Sequence, residues 1–202
     1  MIEADLNARH AEKMKKVQAA RARMMASKTV ERGLVIVHTG TGKGKTTAAL
    51  GMVCRMIGHG MKVSIIQFIK GAMETGEQNL FDAFPDLVEM RPMGEGFTWD
   101  TQDRTRDIAK VREAWEAAKA RIMDPEWKMV VCDELNIALR YDYLPVAEVL
   151  EVLAARPADT HVVITGRNAP PELIEAADLV TDMQMVKHPF RAGVKAQAGV
   201  EF

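Results

Sequence analysis

The stretch Thr39-Gly40-Thr41-Gly42-Lys43-Gly44-Lys45-Thr46-Thr47 restricts the folds open to this chain more than any other feature. An apolar, β-branched run, Leu34-Val35-Ile36-Val37, precedes it, and a helical stretch, Ala48 to Ile57, follows it. Strand, glycine-rich turn and helix in that order are the setting of a phosphate-binding loop. Gly40, Gly42 and Gly44 let backbone N–H groups converge on phosphate oxygens without a Cβ in the way. The helix that opens at the loop adds the positive end of its dipole. On this reading Gly40, Thr41, Gly42, Lys43, Gly44, Lys45, Thr46 and Thr47 surround a nucleotide's phosphates. Lys45 neutralises phosphate charge, and the Thr46 hydroxyl holds Mg²⁺. The usual pattern, G-x-x-x-x-G-K-[ST], has glycine where Thr39 stands. The first glycine here comes one residue late, which predicts a tighter loop.

The remaining chain alternates strand and helix signals. Strands are expected at Lys62 to Ile69, near Leu87 to Met90, at Trp127 to Cys132, at His161 to Thr165 and from Leu179 to about Met185. Helices are expected at Gln102 to Met123, Val146 to Ala155 and Pro171 to Ala177. In the first of these, Ile108, Val111, Trp115 and Ile122 share one side. The order predicts an α/β fold of the phosphate-loop, RecA-like class, a mostly parallel sheet covered by helices on both faces. Ligands on such sheets bind at the carboxyl ends of the strands. Residues 1–30 differ: no Pro or Gly, many charges and sparse apolar residues (Leu6, Met14, Val17, Met24, Met25) predict an exposed helical extension to a domain spanning 31–202.

Net charge is −1 over 202 residues, so no bulk field draws the chain to nucleic acid or a membrane. The basic cluster Lys13, Lys15, Lys16, Arg21 and Arg23 reads as a solvated helix face rather than a nucleic-acid arm. No apolar run approaches the ~20 residues that span a bilayer. Cys54 and Cys132 sit in apolar segments without zinc-site spacing, so a reducing, cytoplasmic setting is expected.

Val130-Val131-Cys132 ends in Asp133-Glu134, an acidic pair at a strand's carboxyl end. In phosphate-loop proteins an acid here serves the metal. Neighbouring residues point to opposite sides of a strand, so the two divide the work. Asp133 or Glu134 joins Thr46 at the metal, and the other orients water or caps Leu135 onward. Arg167 follows a strand and belongs at the same edge, as a partner for the nucleotide. Arg104 and Arg106 are further candidates. Nothing marks a water-activating base, so the residues alone support nucleotide binding more firmly than hydrolysis. A small-molecule kinase or ATPase is the alternative reading. The Gly-flanked loop Gly94-Glu95-Gly96-Phe97-Thr98-Trp99-Asp100 suits neither well. Its aromatics either fold back onto the core or offer an apolar platform for a large flat ligand.

Several of these segments together resemble the ATP:corrinoid adenosyltransferases of the phosphate-loop class. They are Thr39 to Thr47, Gln67 to Gly71, Gly76-Glu77, Phe97-Thr98-Trp99, Cys132-Asp133-Glu134, Tyr141 to Leu144, Thr165-Gly166-Arg167, and the tail from Val186 to Gln197. The family often carries Asn where Thr41 stands. The resemblance implies that a reduced corrinoid cobalt, Co(I), attacks C5′ of ATP and expels triphosphate. It implies Lys45, Thr46 and Glu134 in catalysis, and Mg²⁺ or Mn²⁺ at Thr46, Asp133 and Glu134. By the same resemblance ATP lies reversed in the loop relative to ordinary ATPases. Phe97 and Trp99 take the lower face of the corrin, displacing its axial base and easing reduction of Co(II). A flavoprotein or reduced flavin as electron donor, a homodimer, and closure of the N-terminal helix over the site are also implied.

Overall fold

The computed structural model describes residues 2–69, 75–94 and 103–201. The chain divides into two compact units, Met1–Glu31 and Arg32–Phe202. The first is helix α1, Ile2–Ala26. Its sequence has no helix breaker, and Glu3 and Asp5 in the first turn and Arg23 in the last complement the helix dipole. Ion pairs Asp5–Arg9 and Glu12–Lys16 at i, i+4 add roughly 0.2–0.5 kcal/mol each. Leu6, Val17, Met24 and Met25 are exposed, as their sparse spacing predicts.

In the second unit, β1 (Val35–Thr39), α2 (Lys45–Gly58), β2 (Val63–Gln67), α3 (Gly76–Phe81), β3 (Val88–Pro92) and α4 (Arg104–Met123) come first. Then follow β4 (Met129–Asp133), α5 (Leu135–Arg140), α6 (Val146–Ala155), β5 (His161–Thr165), α7 (Pro171–Ala176) and β6 (Leu179–Asp182). A 3₁₀ turn, Pro189–Ala192, interrupts the tail that the sequence presents as loop. The six strands form one sheet in the order β3-β2-β4-β5-β1-β6, with every pairing parallel.

Strand periodicity divides the core between the two faces. Val35, Val37, Ile66, Val130, Cys132, Val162 and Ile164 face one cluster with Trp115, Ile122 and Leu153 from α4 and α6. Their neighbours Ile36, Ile65, Val131 and Val163 face the other, with Ala49, Leu50 and Val53 of α2 and Phe81 of α3. Central strands buried on both sides explain the continuous apolar runs. This is the α/β architecture expected from the strand and helix order, a parallel sheet covered by helices on both faces.

Several boundaries differ by a few residues from those expected, and two of them bear on the glycine loop. α2 begins at Lys45 rather than Ala48, because its first turn is polar and carries no apolar period. β6 stops at Asp182, because the Met183 carbonyl turns to accept the Gly42 N–H at 2.6 Å. The short α5, between the acidic pair and the Tyr141 turn, has no separate signal in the sequence.

Trp115 is fully buried and its indole N–H donates to Glu148 at 2.8 Å. Replacing it with Ala is expected to cost about 3–5 kcal/mol in urea unfolding. Asp178 ties the start of β1 to the loop before β6, accepting from Arg32 Nη1 at 3.0 Å and from the Val35 N–H at 2.9 Å. The bond from Arg32 holds its carboxyl below the usual aspartate range, against the opposing effect of burial. The folded chain therefore binds that proton more weakly than the unfolded chain. The stabilisation is complete above the ordinary pKa of about 3.9 and is lost as pH falls through the lower folded value. Asp178→Asn should destabilise at pH 7, with the gap from the unaltered protein narrowing in melts carried below pH ~4.

Candidate active site

The parallel sheet brings the last residues of five strands to one edge: Gln67 of β2, Asp133 of β4, Thr165 of β5, Thr39 of β1 and Asp182 of β6. All but Asp182 are buried, and all are polar. Each closes its strand at this edge, and the side chains of Gln67 and Thr165 both reach Asp133.

The glycine loop leaves β1 here. Thr39 occupies the place of the usual first glycine because it still belongs to the strand. It pairs with Asp182 in register, and its Oγ1 accepts the Ala169 N–H at 3.1 Å. The loop therefore starts at Gly40 and is braced from the side of β6. A Cβ on Gly40 would lie 2.4 Å from the Met183 carbonyl oxygen, and one on Gly42 would lie 2.7 Å from the same atom. Gly44 has φ 103° and precedes α2, a conformation that favours glycine. Thus Gly40 and Gly42 admit the neighbouring chain, and Gly44 turns the backbone into the helix.

Lys45 is 6% exposed, and its ammonium donates to the carbonyls of Gly40 at 2.8 Å and Gly42 at 2.5 Å. Burial pushes its pKa below the lysine range, while the Glu134 carboxylate works in the opposite sense and Arg167 reinforces the drop. Lys45, Glu134, Arg167 and Asp182 thus share one electrostatic neighbourhood. Lys43 is exposed and pairs with Glu201 of the tail. Thr41 and Thr47 are exposed.

Asp133 is the centre of the polar row. Its Oδ1 accepts from Thr46 Oγ1 at 2.8 Å and Thr165 Oγ1 at 2.7 Å, and its Oδ2 accepts from Gln67 Nε2 at 3.1 Å. Glu134 takes a left-handed backbone, φ 64°, and its N–H donates to Thr165 Oγ1 at 2.9 Å. It stands at the N-cap of α5 without a side-chain capping bond. A Cβ on Gly166 would sit 3.2 Å from Glu134 Oε2. The two acids meet different partners: Asp133 accepts the loop's Thr46 hydroxyl, and the Glu134 carboxylate lies close enough to raise the Lys45 pKa against burial. Burial beside Asp133 pushes the Cys132 thiol up to about 12, so this cysteine is a packing residue.

Thr46, Asp133 and Glu134 offer hard oxygen donors. Among the described residues, no group of three or more His, Cys, Asp or Glu could hold an ion unaided. Mg²⁺ bound by one or two side chains plus substrate phosphates and water needs no such group, so the donor set fits it. Arg167 is exposed just past the buried Gly166. A groove of about 470 Å³ opens beside Gly40 and Thr41, bounded by Asn168, Ile174, Asp182 and Gln184. The aromatic pair Phe97 and Trp99 lies outside the described residues. Arg104 stacks on Tyr143, its guanidinium 5.6 Å from the ring centre, away from the loop contacts above. Gln67 and Thr165 were not singled out as site residues from sequence. Both lie in segments that carry the family resemblance, and their physical signal is a polar residue closing an apolar strand.

Among the described residues, no helix is long and apolar enough to cross a membrane. In structural comparison, the crystal structure of the RadB recombinase aligns with a TM-score of 0.45 at 16% identity, over 78% of this chain and 77% of that one. In sequence the likeness is far closer. A corrinoid adenosyltransferase of Sinorhizobium sp is 59% identical over 97% of this chain and 92% of its own length. One from Pseudomonas aeruginosa is 55% identical over 96% of each. The Escherichia coli K12 relative is 50% identical over 85% of this chain and 87% of its own. The family model for ATP:corrinoid adenosyltransferase BtuR/CobO/CobP matches residues 31–202, from just before the first strand through the braced loop and the acid row to the tail. With the loop, the acids and the whole second unit inside that match, the chain belongs to the ATP:corrinoid adenosyltransferase family.

Proposed function

We propose that this chain transfers the 5′-deoxyadenosyl group of ATP to the Co(I) of a corrinoid and releases triphosphate, in making or salvaging adenosylcobalamin. The observation that carries the reading is family membership across the whole unit that holds the phosphate loop. Cobalt brings the electron pair that forms the Co–C5′ bond. The C5′–O bond breaks, and its electrons depart with the triphosphate. The nucleophile carries no proton to be removed, which agrees with a site that displays anion-binding groups and acids rather than a nucleophile–base pair.

The protein's tasks are then to hold C5′ in line with cobalt and to stabilise a highly charged leaving group. The N–H groups of the Gly40 to Thr47 loop, apart from that of Gly42, which is bonded to Met183, and the Lys45 ammonium would surround the polyphosphate, with Arg167 reaching over it. Thr46, Asp133 and Glu134 would hold Mg²⁺ or Mn²⁺. When bound, that ion supplies positive charge to the leaving oxygens. Phe97 and Trp99 would receive the corrin's lower face. A flavoprotein or reduced flavin as electron source, a homodimer and a cytoplasmic location complete the proposal.

Incubation with ATP, Mg²⁺ and chemically reduced corrinoid is expected to yield adenosylated corrinoid and triphosphate in equal amounts. ADP formed with a non-corrinoid acceptor, and no adenosylated corrinoid, would establish the kinase or ATPase reading instead. Changing Phe97 and Trp99 together to Ala should lower turnover most when Co(II) must be reduced on the protein. An equal loss with pre-reduced Co(I), followed by the absorbance of the alkylated product, would reject their role in reduction.

A further inference from the structure

We propose that Thr165, the last residue of β5, is a positioning residue that sets Asp133 and Glu134 for the divalent cation accompanying ATP; the inference rests on the reading of the glycine loop as the ATP site. Thr165 is fully buried, so its influence runs through the groups it touches. Its hydroxyl has one proton and two lone pairs. The proton goes to Asp133 Oδ1 at 2.7 Å, and a lone pair receives the Glu134 N–H at 2.9 Å. One side chain from β5 is therefore bonded to the carboxylate of Asp133, the last residue of β4, and to the backbone of Glu134, the residue after it.

Each bond has a consequence for the loop. Asp133 Oδ1 accepts the Thr46 hydroxyl at 2.8 Å as well, so the two threonine protons converge on one carboxylate oxygen. Thr46 thereby commits its proton to Asp133, and its lone pairs are left to face a cation. The bond from the Glu134 N–H fastens the residue whose φ of 64° is uncommon for glutamate. That turn directs the Glu134 carboxylate toward Gly166 and the Lys45 neighbourhood rather than along the strand. Valine at position 165 would keep the shape and remove both bonds. Serine would keep both bonds and remove only a methyl group.

The test uses the full chain with Mn²⁺ and ATP and without corrinoid, and reads bound Mn²⁺ by electron paramagnetic resonance. Supporting partners of a metal site alter its affinity by about 10–100-fold, so Thr165→Val should weaken Mn²⁺ retention by at least about tenfold. Binding of metal-free ATP, measured in the presence of a chelator, should stay unchanged, and Thr165→Ser should restore Mn²⁺ affinity. Retention of Mn²⁺ by Thr165→Val as in the unaltered protein would overturn the proposal. So would equal losses of Mn²⁺ and metal-free ATP binding, which mark a scaffold role, or failure of Thr165→Ser to restore the ion. If Thr165→Val does not fold, Thr165→Ala is judged by the same criteria. An unaltered protein that binds neither ATP nor Mn²⁺·ATP would bring down the ATP-site reading and this inference together. One that binds both, beside a normal Thr165→Val, brings down the inference alone.

Discussion

A carboxylate with no solvent exposure lies at the carboxyl edge of the sheet. Asp133 costs several kcal/mol to bury as an ion unless its oxygens are hydrogen-bonded. Gln67, Thr46 and Thr165 supply those bonds from β2, from the first turn of α2 and from β5. Satisfying one buried charge thus joins three strands and the helix that follows the glycine loop. Such a network is rigid when every member is paired and costly when one is missing. The geometry needed to handle a nucleotide is held by the same bonds that make the buried acid tolerable.

The glycine loop shows a second constraint, steric rather than electrostatic. Gly40 and Gly42 leave room for the backbone just past β6, and the Gly42 N–H is already bonded to Met183. A strand distant in sequence therefore shapes the loop. The apparent shift of the motif by one residue has a simple cause: Thr39 is a strand residue, paired with Asp182, and the turn cannot begin until the pairing ends.

Most of the architecture was readable beforehand. Runs such as Val35-Ile36-Val37 and Val162-Val163-Ile164 are continuous because both faces of the sheet are covered, and parallel strands buried in this way leave that mark. The Val111–Trp115–Ile122 spacing of α4 gave its inward face directly. Short elements without their own period were not legible. α5 has six residues and shares its apolar character with the strand before it. The loop, its lysine and the acidic pair could be found because they are contiguous in sequence. The different surroundings of Asp133 and Glu134 could not, because they depend on a threonine 31–32 positions away whose hydroxyl meets both. A polar residue closing a strand signals an edge, but its partners are known only once the strands are ordered.

Lys45 illustrates what it means for a binding group to be prepared in advance. Its ammonium has already left bulk water and rests on two loop carbonyls. Stripping water from that cation is therefore an expense of folding, settled before any polyanion arrives. An incoming phosphate needs only to replace neutral acceptors with charged ones, and charge-assisted bonds are the stronger kind. On the proposed reading, the same two carbonyls are at hand to receive the ammonium once the polyanion has gone.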